Sequence, residues 1–263
     1  MTTFQAIIIA IIEGLTEFLP VSSTGHMILA DAVLKVQDHE FAKTFEIVIQ
    51  LGAIMAVLLI YIKRFFVGLN IYFKLFVAFL PTGVIGLLAY KSIKHYLFNP
   101  FTVSISLIVG GVVLILLDKW SNKETSDYKE VEDISYLGAV KIGFIQCLSM
   151  IPGVSRAAAT IFGGIYSGFS RKQAAEFSFL LAIPTMFAAS GYDLLKEHEN
   201  IHSDDLSILF LGAGVAFLVA IVAVKAFVAF LTKYGFKHFG YYRIVLGVLF
   251  LIYALNTGLE MIP

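Results

Sequence analysis

The chain has 263 residues, of which 59% are hydrophobic and 14% are charged, and its mean hydropathy is +0.86. An average soluble domain carries about 25% charged residues, so this composition excludes a disordered chain and argues strongly against a soluble enzyme. Lys plus Arg and Asp plus Glu are equal at 19 each, and this balance leaves no overall basic charge for binding nucleic acid.

The chain begins with an apolar segment, residues 4–34, that is interrupted by Leu-Pro-Val-Ser-Ser at 19–23. The segment has no basic n-region and contains Glu13 and Glu17, so it is not a cleaved signal peptide. Each half is too short to cross a bilayer, and backbone leaves the helix at membrane depth only inside protein or beside a wet cavity. We therefore predict a re-entrant helix hairpin.

Farther along, long apolar segments alternate with one further interrupted segment. Ile-Pro-Gly-Val-Ser at 151–155 divides residues 137–167 and predicts a second re-entrant hairpin, after a polar linker at 118–133. The predicted fold is an all-α polytopic membrane protein, one domain over 1–263, with two hairpins and six transmembrane helices. The six predicted spans are 45–62, 72–90, 103–117, 174–192, 206–229 and 239–256.

The two halves of the chain, approximately 1–118 and 137–257, resemble each other. Each contains one hairpin and three spans, and because three is odd, the second copy must enter the membrane from the opposite face. We therefore predict an inverted repeat with its site near the midplane, although similarity of composition alone stays an alternative. At an offset of 133, Glu13, Leu15, Thr16, Val21 and Ser22 fall on Gln146, Leu148, Ser149, Val154 and Ser155.

The distribution of basic residues predicts the orientation. Ten lie on one predicted face and five on the face that both termini share, so the positive-inside rule places both termini outside. The ten are Lys63, Arg64, Lys119, Lys123, Lys129, Arg171, Lys172, Lys225, Lys233 and Lys237, and the five are Lys35, Lys43, Lys91, Lys94 and Lys196. Cys147, the single cysteine, excludes an internal disulfide and is predicted to be a buried small hydrophobic residue.

Charged side chains at membrane depth mark the candidate site. Glu13 and Glu17 are four residues apart, which places both carboxylates on one helix face. Two carboxylates suit a divalent cation such as Mg²⁺ or Ca²⁺, whose preferred ligands are oxygens. The alternative is that they pair with Arg156 or cap a helix.

Hydroxyls and an imidazole follow directly in the first interruption. Ser22 is typical of a helix N-cap. Ser23 and His26 are three residues apart, so they can lie side by side on the first helical turn as a nucleophile and a general acid/base. The alternative for His26 is a satisfied structural histidine.

The second interruption predicts an anion site. Pro152-Gly153 turns the chain, and the next helix offers free N–H groups at its positive end, beside the planar donors of Arg156. Inverted symmetry would bring this cradle opposite the carboxylates and Ser23. Such a combination predicts phosphoryl transfer or hydrolysis of a phosphate ester.

These motifs resemble the two signatures of the bacterial undecaprenyl pyrophosphate phosphatases of the bacitracin-resistance type. The matching residues are Glu13-Gly-Leu-Thr-Glu17-Phe-Leu-Pro-Val-Ser-Ser23-Thr-Gly-His26 and Pro152-Gly-Val-Ser-Arg156-Ala-Ala-Ala-Thr160, and the likeness extends over nearly the whole chain. The resemblance implies an enzyme of the bacterial inner membrane. It would hydrolyse undecaprenyl pyrophosphate to undecaprenyl phosphate and inorganic phosphate, recycling the lipid carrier for cell-wall synthesis. Its active site would open to the outer face, and it would depend on Mg²⁺ or Ca²⁺.

The same resemblance assigns roles by position. Glu13 and Glu17 would hold the metal, and Ser23 would be the nucleophile with His26 as its acid/base. The candidate catalytic residues are thus Glu17, Ser23, His26 and Arg156, and the candidate substrate-binding residues are Ser22, Ser155, Arg156 and Thr160.

The second motif departs from the family pattern at two positions. Ala157 and Ala158 stand where that pattern has a serine and a glycine, and a lost hydroxyl at Ala157 would either weaken phosphate binding or be unimportant.

Other functions and partners stay open at this stage. A polyprenyl-phosphate flippase or a secondary transporter is the main alternative, because inverted repeats of broken helices are typical of transporters. A purely structural or channel protein is a third. Expected partners are the lipid bilayer and a second copy of the chain, but no nucleic acid.

Overall fold

The structure is a computed structural model that describes residues 1–34, 36, 39–66, 68–97, 99–121, 126–197 and 205–257. Lys35 and Lys123, which entered the charge count, and residues 122–125 of the predicted linker lie outside these ranges. Within the helices, the side chains of residues 39, 40, 90, 91, 94 and 95 are likewise outside the description.

Helices make up nearly all of the described chain, in which no strand occurs. Six are long and apolar enough to cross a membrane, so the prediction of an all-α polytopic membrane protein is confirmed. The helices are α1 (Thr3–Thr16), α2 (Ser23–Leu34), α3 (His39–Tyr61), α4 (Asn70–Leu97), α5 (Pro100–Trp120), α6 (Tyr136–Gln146), α7 (Arg156–Tyr166), α8 (Arg171–Glu197), α9 (Leu206–Tyr234) and α10 (Lys237–Thr257).

The six predicted spans correspond to α3, α4, α5, α8, α9 and α10, each of which extends beyond the predicted limits at one end or both. The extensions include charged, polar and capping residues that hydropathy alone does not assign to a helix. At the start of α5, for example, Asn99 Oδ1 accepts a hydrogen bond from the Thr102 N–H at 2.8 Å, and Pro100 occupies the first helical position.

Each predicted hairpin is a pair of short helices with a break between them. In the first, α1 ends at Thr16 and α2 begins at Ser23; in the second, α6 and a 3₁₀ turn at Cys147–Met150 precede α7. The last residue before α2 is Ser22 and the last before α7 is Ser155. Their φ angles are +70° and +76°, and among the described residues no other non-glycine has a positive φ.

The two halves pack across each other. Helix α1 packs against α9 of the second half and α6 packs against α4 of the first, while α3 contacts α8 and α5 contacts α10. Exchanging the halves reproduces this set of contacts. The pattern supports the predicted repeat, whose inverted orientation in the membrane stays a prediction.

Helix α8 lies at the centre of the bundle. In its most apolar stretch, 67% of the residues are buried inside the protein, whereas the same share is 22–39% in the other five long helices. The largest apolar cluster includes Phe177, Phe179 and Leu180 of α8 together with Phe18 from the first turn. This core therefore fixes the position of the first turn relative to α8.

Cys147 is half-buried, whereas the sequence predicted a buried residue. It lies in the 3₁₀ turn of the second break, where its thiol donates to the Gly143 carbonyl at 3.3 Å.

The close contact between α3 and α9 requires a glycine at position 52. A Cβ there would lie 2.8 Å from Ala213 Cα, in a backbone that cannot move aside, whereas a Cβ at Gly214 meets nothing within 4 Å. We expect Gly52→Ala to lower the free energy of unfolding by about 1–3 kcal/mol. Gly214→Ala should be neutral or stabilising by about 0.5–1 kcal/mol. Melting temperatures in one detergent check this, and equal values for the two variants would contradict the packing.

Candidate active site

The two breaks meet at one pocket with a volume of about 550 Å³. The first turn supplies carboxylate and hydroxyl groups to it, the second supplies the guanidinium of Arg156, and α3, α4 and α8 complete it. The pocket wall consists of Glu17, Ser22, Ser23, Thr24, Gln50, Phe79, Thr82, Gly83, Gly86, Leu87, Ser149, Met150, Pro152, Gly153, Ser155, Arg156, Thr185, Met186, Ala188, Ala189, Tyr192 and Asp193.

The carboxylate of Glu17 connects the two turns. Ser23 Oγ donates to Glu17 Oε2 at 2.5 Å, and Arg156 Nη2 donates to Glu17 Oε1 at 3.2 Å. The side chains of Glu17 and Arg156 are 6% and 11% exposed, so water screens this ion pair weakly. The sequence left ion pairing with Arg156 as one alternative for the two glutamates, and Glu17 forms that ion pair.

Arg156 retains a donor for a ligand. Its Nη1 donates to the Ser178 carbonyl at 3.3 Å, and its guanidinium lies 5.6 Å from the centre of the Phe18 ring. Nε is buried without a hydrogen-bond partner in the described part of the chain. Because an unpaired buried N–H is costly, this atom favours an anion in the pocket.

Ser22 and Ser155 cap the helices that follow them. Ser22 Oγ accepts from the Gly25 N–H at 3.4 Å, and Ser155 Oγ accepts from the Ala158 N–H at 3.2 Å. As acceptors, both hydroxyls keep their own hydrogen available for donation. The predicted cap at Ser22 is thus present, and both serines lie on the pocket wall.

Glu13 lies one helical turn before Glu17 and behind the pocket wall. Its side chain is 4% exposed, and within the described residues its Oε1 has no hydrogen-bond partner. No cluster of three or more His, Cys, Asp or Glu side chains suited to a metal occurs in the described ranges. Two carboxylates can still fit Mg²⁺, which commonly takes one or two carboxylates plus phosphate oxygens of the substrate.

His26 does not contact Ser23, so the predicted nucleophile–imidazole pair is not formed. His26 Nδ1 is 2.7 Å from the Ser22 carbonyl oxygen and Nε2 is 2.6 Å from the Tyr242 hydroxyl. The two rings stack with centroids 5.6 Å apart. Both ring nitrogens are therefore occupied, and the group within reach of the Ser23 proton is Glu17.

Thr160 lies away from the pocket wall, and its role as a substrate ligand stays a prediction. It is fully buried; its Oγ1 donates to the Arg156 carbonyl at 2.9 Å and is 2.6 Å from Ser178 Oγ. The hydroxyl thus joins α7 to α8. Ala157 is also fully buried and outside the wall, so a hydroxyl at this position would face packed protein.

Arg243 of α10 contacts both turns and is not among the residues predicted from the sequence. Its side chain is fully buried and donates to the carbonyls of Pro20 at 3.0 Å, Gly153 at 2.7 Å and Val154 at 2.9 Å. These carbonyls belong to both turns. The available signal was an arginine within an apolar span, which is expensive at membrane depth unless it has a partner or a role.

Comparison with known proteins gives a consistent result over nearly the whole chain. The family model described as "Bacitracin resistance protein BacA" matches residues 6–249. The undecaprenyl-diphosphatase of Wolinella succinogenes is 53% identical over 255 residues, which cover 96% of this chain and 98% of that protein. Those of Flavobacterium johnsoniae and Bdellovibrio bacteriovorus are 51% and 49% identical, covering 96% and 99% of this chain and the same shares of their own.

Proposed function

The chain belongs to the bacitracin resistance protein BacA family, and we propose that the pocket between its two turns is the active site of an undecaprenyl-diphosphatase. The reaction hydrolyses undecaprenyl pyrophosphate to undecaprenyl phosphate and inorganic phosphate, which recycles the lipid carrier for cell-wall synthesis. One observation carries the assignment of the site: Glu17 accepts from Ser23 at 2.5 Å and from Arg156 at 3.2 Å. A nucleophile and an anion-binding group thus contact the same carboxylate, which serves as the base.

The pyrophosphate is bound mainly by the second turn. Arg156 contributes its unpaired Nε, Ser22 and Ser155 contribute hydroxyl hydrogens, and the start of α7 contributes N–H groups that have no partner within the helix. Charge neutralisation by these fixed donors in a site shielded from water lowers the barrier to attack.

Ser23 attacks the terminal phosphorus while Glu17 takes its proton. A bond forms between Ser23 Oγ and phosphorus, and the anhydride P–O bond breaks with its electron pair leaving on undecaprenyl phosphate. Water then attacks the phosphoserine, and the bond between phosphorus and Ser23 Oγ breaks as the oxygen takes back the proton held by Glu17. Both protons of the water leave with the inorganic phosphate, and Glu17 is again a carboxylate. In the alternative route, Glu17 activates water directly for the same displacement.

A divalent cation, Mg²⁺ or Ca²⁺, would be held by Glu13 and Glu17 with phosphate oxygens of the substrate. When bound, it would neutralise charge on the transferred phosphoryl group. The unpartnered Glu13 Oε1 supports this assignment. His26, which binds the Ser22 carbonyl, fixes the first turn of α2.

The chain is a multi-pass protein of the bacterial inner membrane. The surplus of Lys and Arg on one predicted face supports an orientation with both termini outside and the pocket open to the outer face. A homodimer stays a prediction.

Purified protein in detergent is expected to release phosphate from undecaprenyl pyrophosphate. Arg156→Lys removes the planar guanidinium, and Glu17→Gln removes the base. Each substitution should lower kcat/KM by about 10²–10³-fold. Malachite-green measurement of phosphate checks both. Chelation by EDTA should abolish release, and added Mg²⁺ or Ca²⁺ should restore it.

Matched substitutions away from the pocket serve as controls. Arg171→Lys and Glu176→Gln make the same chemical changes in the ion pairs with Asp118 and Arg64, and both should retain activity. A flippase or transporter would release no phosphate in detergent, and such a result would overturn the proposal. If EDTA does not change the release of phosphate, the divalent cation has no part in the proposed reaction.

The phosphoseryl route predicts a trapped intermediate. Rapid acid quench of enzyme with substrate labelled on the terminal phosphate should place label on Ser23, identified by peptide mass spectrometry. Ser23→Ala should carry no label and should lose about 10²–10³ in kcat. Near-normal turnover by Ser23→Ala would instead assign the attack to water.

Thiol labelling tests the orientation. In a Cys147→Ala background, Thr3→Cys and Lys129→Cys place thiols at exposed positions in α1 and before α6. An impermeant maleimide should label Thr3→Cys in intact spheroplasts and Lys129→Cys only after lysis. The reverse pattern would overturn the proposed orientation.

A further inference from the structure

Arg243 holds the backbone of both turns from behind the pocket. The side chain, fully buried, donates from Nε, Nη1 and Nη2 to five carbonyl oxygens. The acceptors are Leu107 at 3.4 Å, Ser106 at 3.1 Å, Pro20 at 3.0 Å, Val154 at 2.9 Å and Gly153 at 2.7 Å. Two of these carbonyls belong to α5, one to the first turn and two to the second.

These contacts satisfy the charge of Arg243 without a carboxylate. In the described part of the chain no salt bridge reaches it, and it is absent from the pocket wall. A planar guanidinium offers five N–H donors in fixed directions, whereas an ammonium group offers three around one point. The geometry of the five carbonyls therefore requires arginine.

Helix α5 leaves space for this side chain. A Cβ at Gly110 would lie 2.7 Å from Arg243 Cζ, and a Cβ at Gly111 would lie 2.6 Å from the Gly240 carbonyl. The two glycines let α5 and α10 approach closely enough for the guanidinium to reach the turns. Gly110 is thus part of the same arrangement, although it contacts neither turn.

We propose that Arg243 is a positioning residue that sets the nucleophile turn and the anion-binding turn at a fixed distance from each other. Pro20 is three residues before Ser23, and Val154 is two residues before Arg156. Both side chains converge on Glu17, so a displacement of either turn separates the reacting groups. This inference rests on the proposed phosphatase function, because it assigns a role in that reaction.

The expected kinetic signature is a loss of kcat with little change in KM. Most of the pyrophosphate donors lie on the second turn, and all of them remain after substitution of Arg243, so binding persists while alignment is lost. A misplacement of about 1 Å can cost about 100-fold in rate. Arg243→Met keeps an unbranched side chain as far as the position of Nε but has no donors, and we expect its kcat to fall about 100-fold with KM within about threefold. Arg243→Lys restores some donors and should be intermediate.

A control separates positioning from general destabilisation. Gly52→Ala weakens the packing of α3 on α9 and contacts neither turn, so below its melting temperature it should keep the wild-type kcat. All variants are compared with undecaprenyl pyrophosphate in one detergent, at a temperature well below the lowest melting temperature. A wild-type kcat in folded Arg243→Met, or an equal loss of kcat in Gly52→Ala, would overturn the inference.

Gly110→Ala provides a second test if Arg243→Met does not fold. The added methyl group displaces the guanidinium while all its donors remain, and we expect kcat to fall about tenfold with KM unchanged. A wild-type kcat in folded Gly110→Ala would overturn the inference. Absence of phosphate release by the wild-type protein would overturn the proposed function and this inference together, whereas the variant results bear on this inference alone.

Discussion

Peptide groups that leave a helix at membrane depth must find partners inside the protein, because lipid offers none. Two broken helices in one bundle create this requirement twice, and the chain meets it by bringing the breaks together. Arg243 donates hydrogen bonds to carbonyl groups of both turns. Ser22 and Ser155 accept hydrogen bonds from backbone N–H groups of the helices that follow. The backbone groups on the side of each turn away from the pocket thereby have hydrogen-bond partners. The groups that face the pocket remain available to a ligand.

The scaffold has two similar halves, but the site within it is asymmetric. At the offset of 133, Ser23 and Arg156 are equivalent, each the first residue of the helix after a break. Both bind Glu17, whose own equivalent is the apolar Met150 on the pocket wall. The first half thus supplies a carboxylate and a hydroxyl, and the second half supplies a cation in the place of the hydroxyl. Neither half contains a complete site.

Sequence patterns predicted the features that depend on local composition: the six spans, the two breaks, and the presence of Glu17, Ser23 and Arg156 near them. Contacts between distant elements were not predictable in this way. His26 bonds to Tyr242, 216 positions away, and so is not free for Ser23. Thr160 satisfies its hydroxyl within α7 and against Ser178. Arg243 meets its acceptors only after the two halves have packed across each other, so its five partners have no signature in its own span.

The ion pair between Glu17 and Arg156 has a consequence for the proposed reaction. While the pocket holds no anion, the charge of Arg156 is balanced by Glu17 at 3.2 Å, and a pyrophosphate must compete with that carboxylate. As phosphate oxygens replace Glu17 on the guanidinium, the carboxylate is released from its ion pair. In the proposed reaction, Glu17 then faces the Ser23 proton without its cation partner at the moment when the substrate is in place.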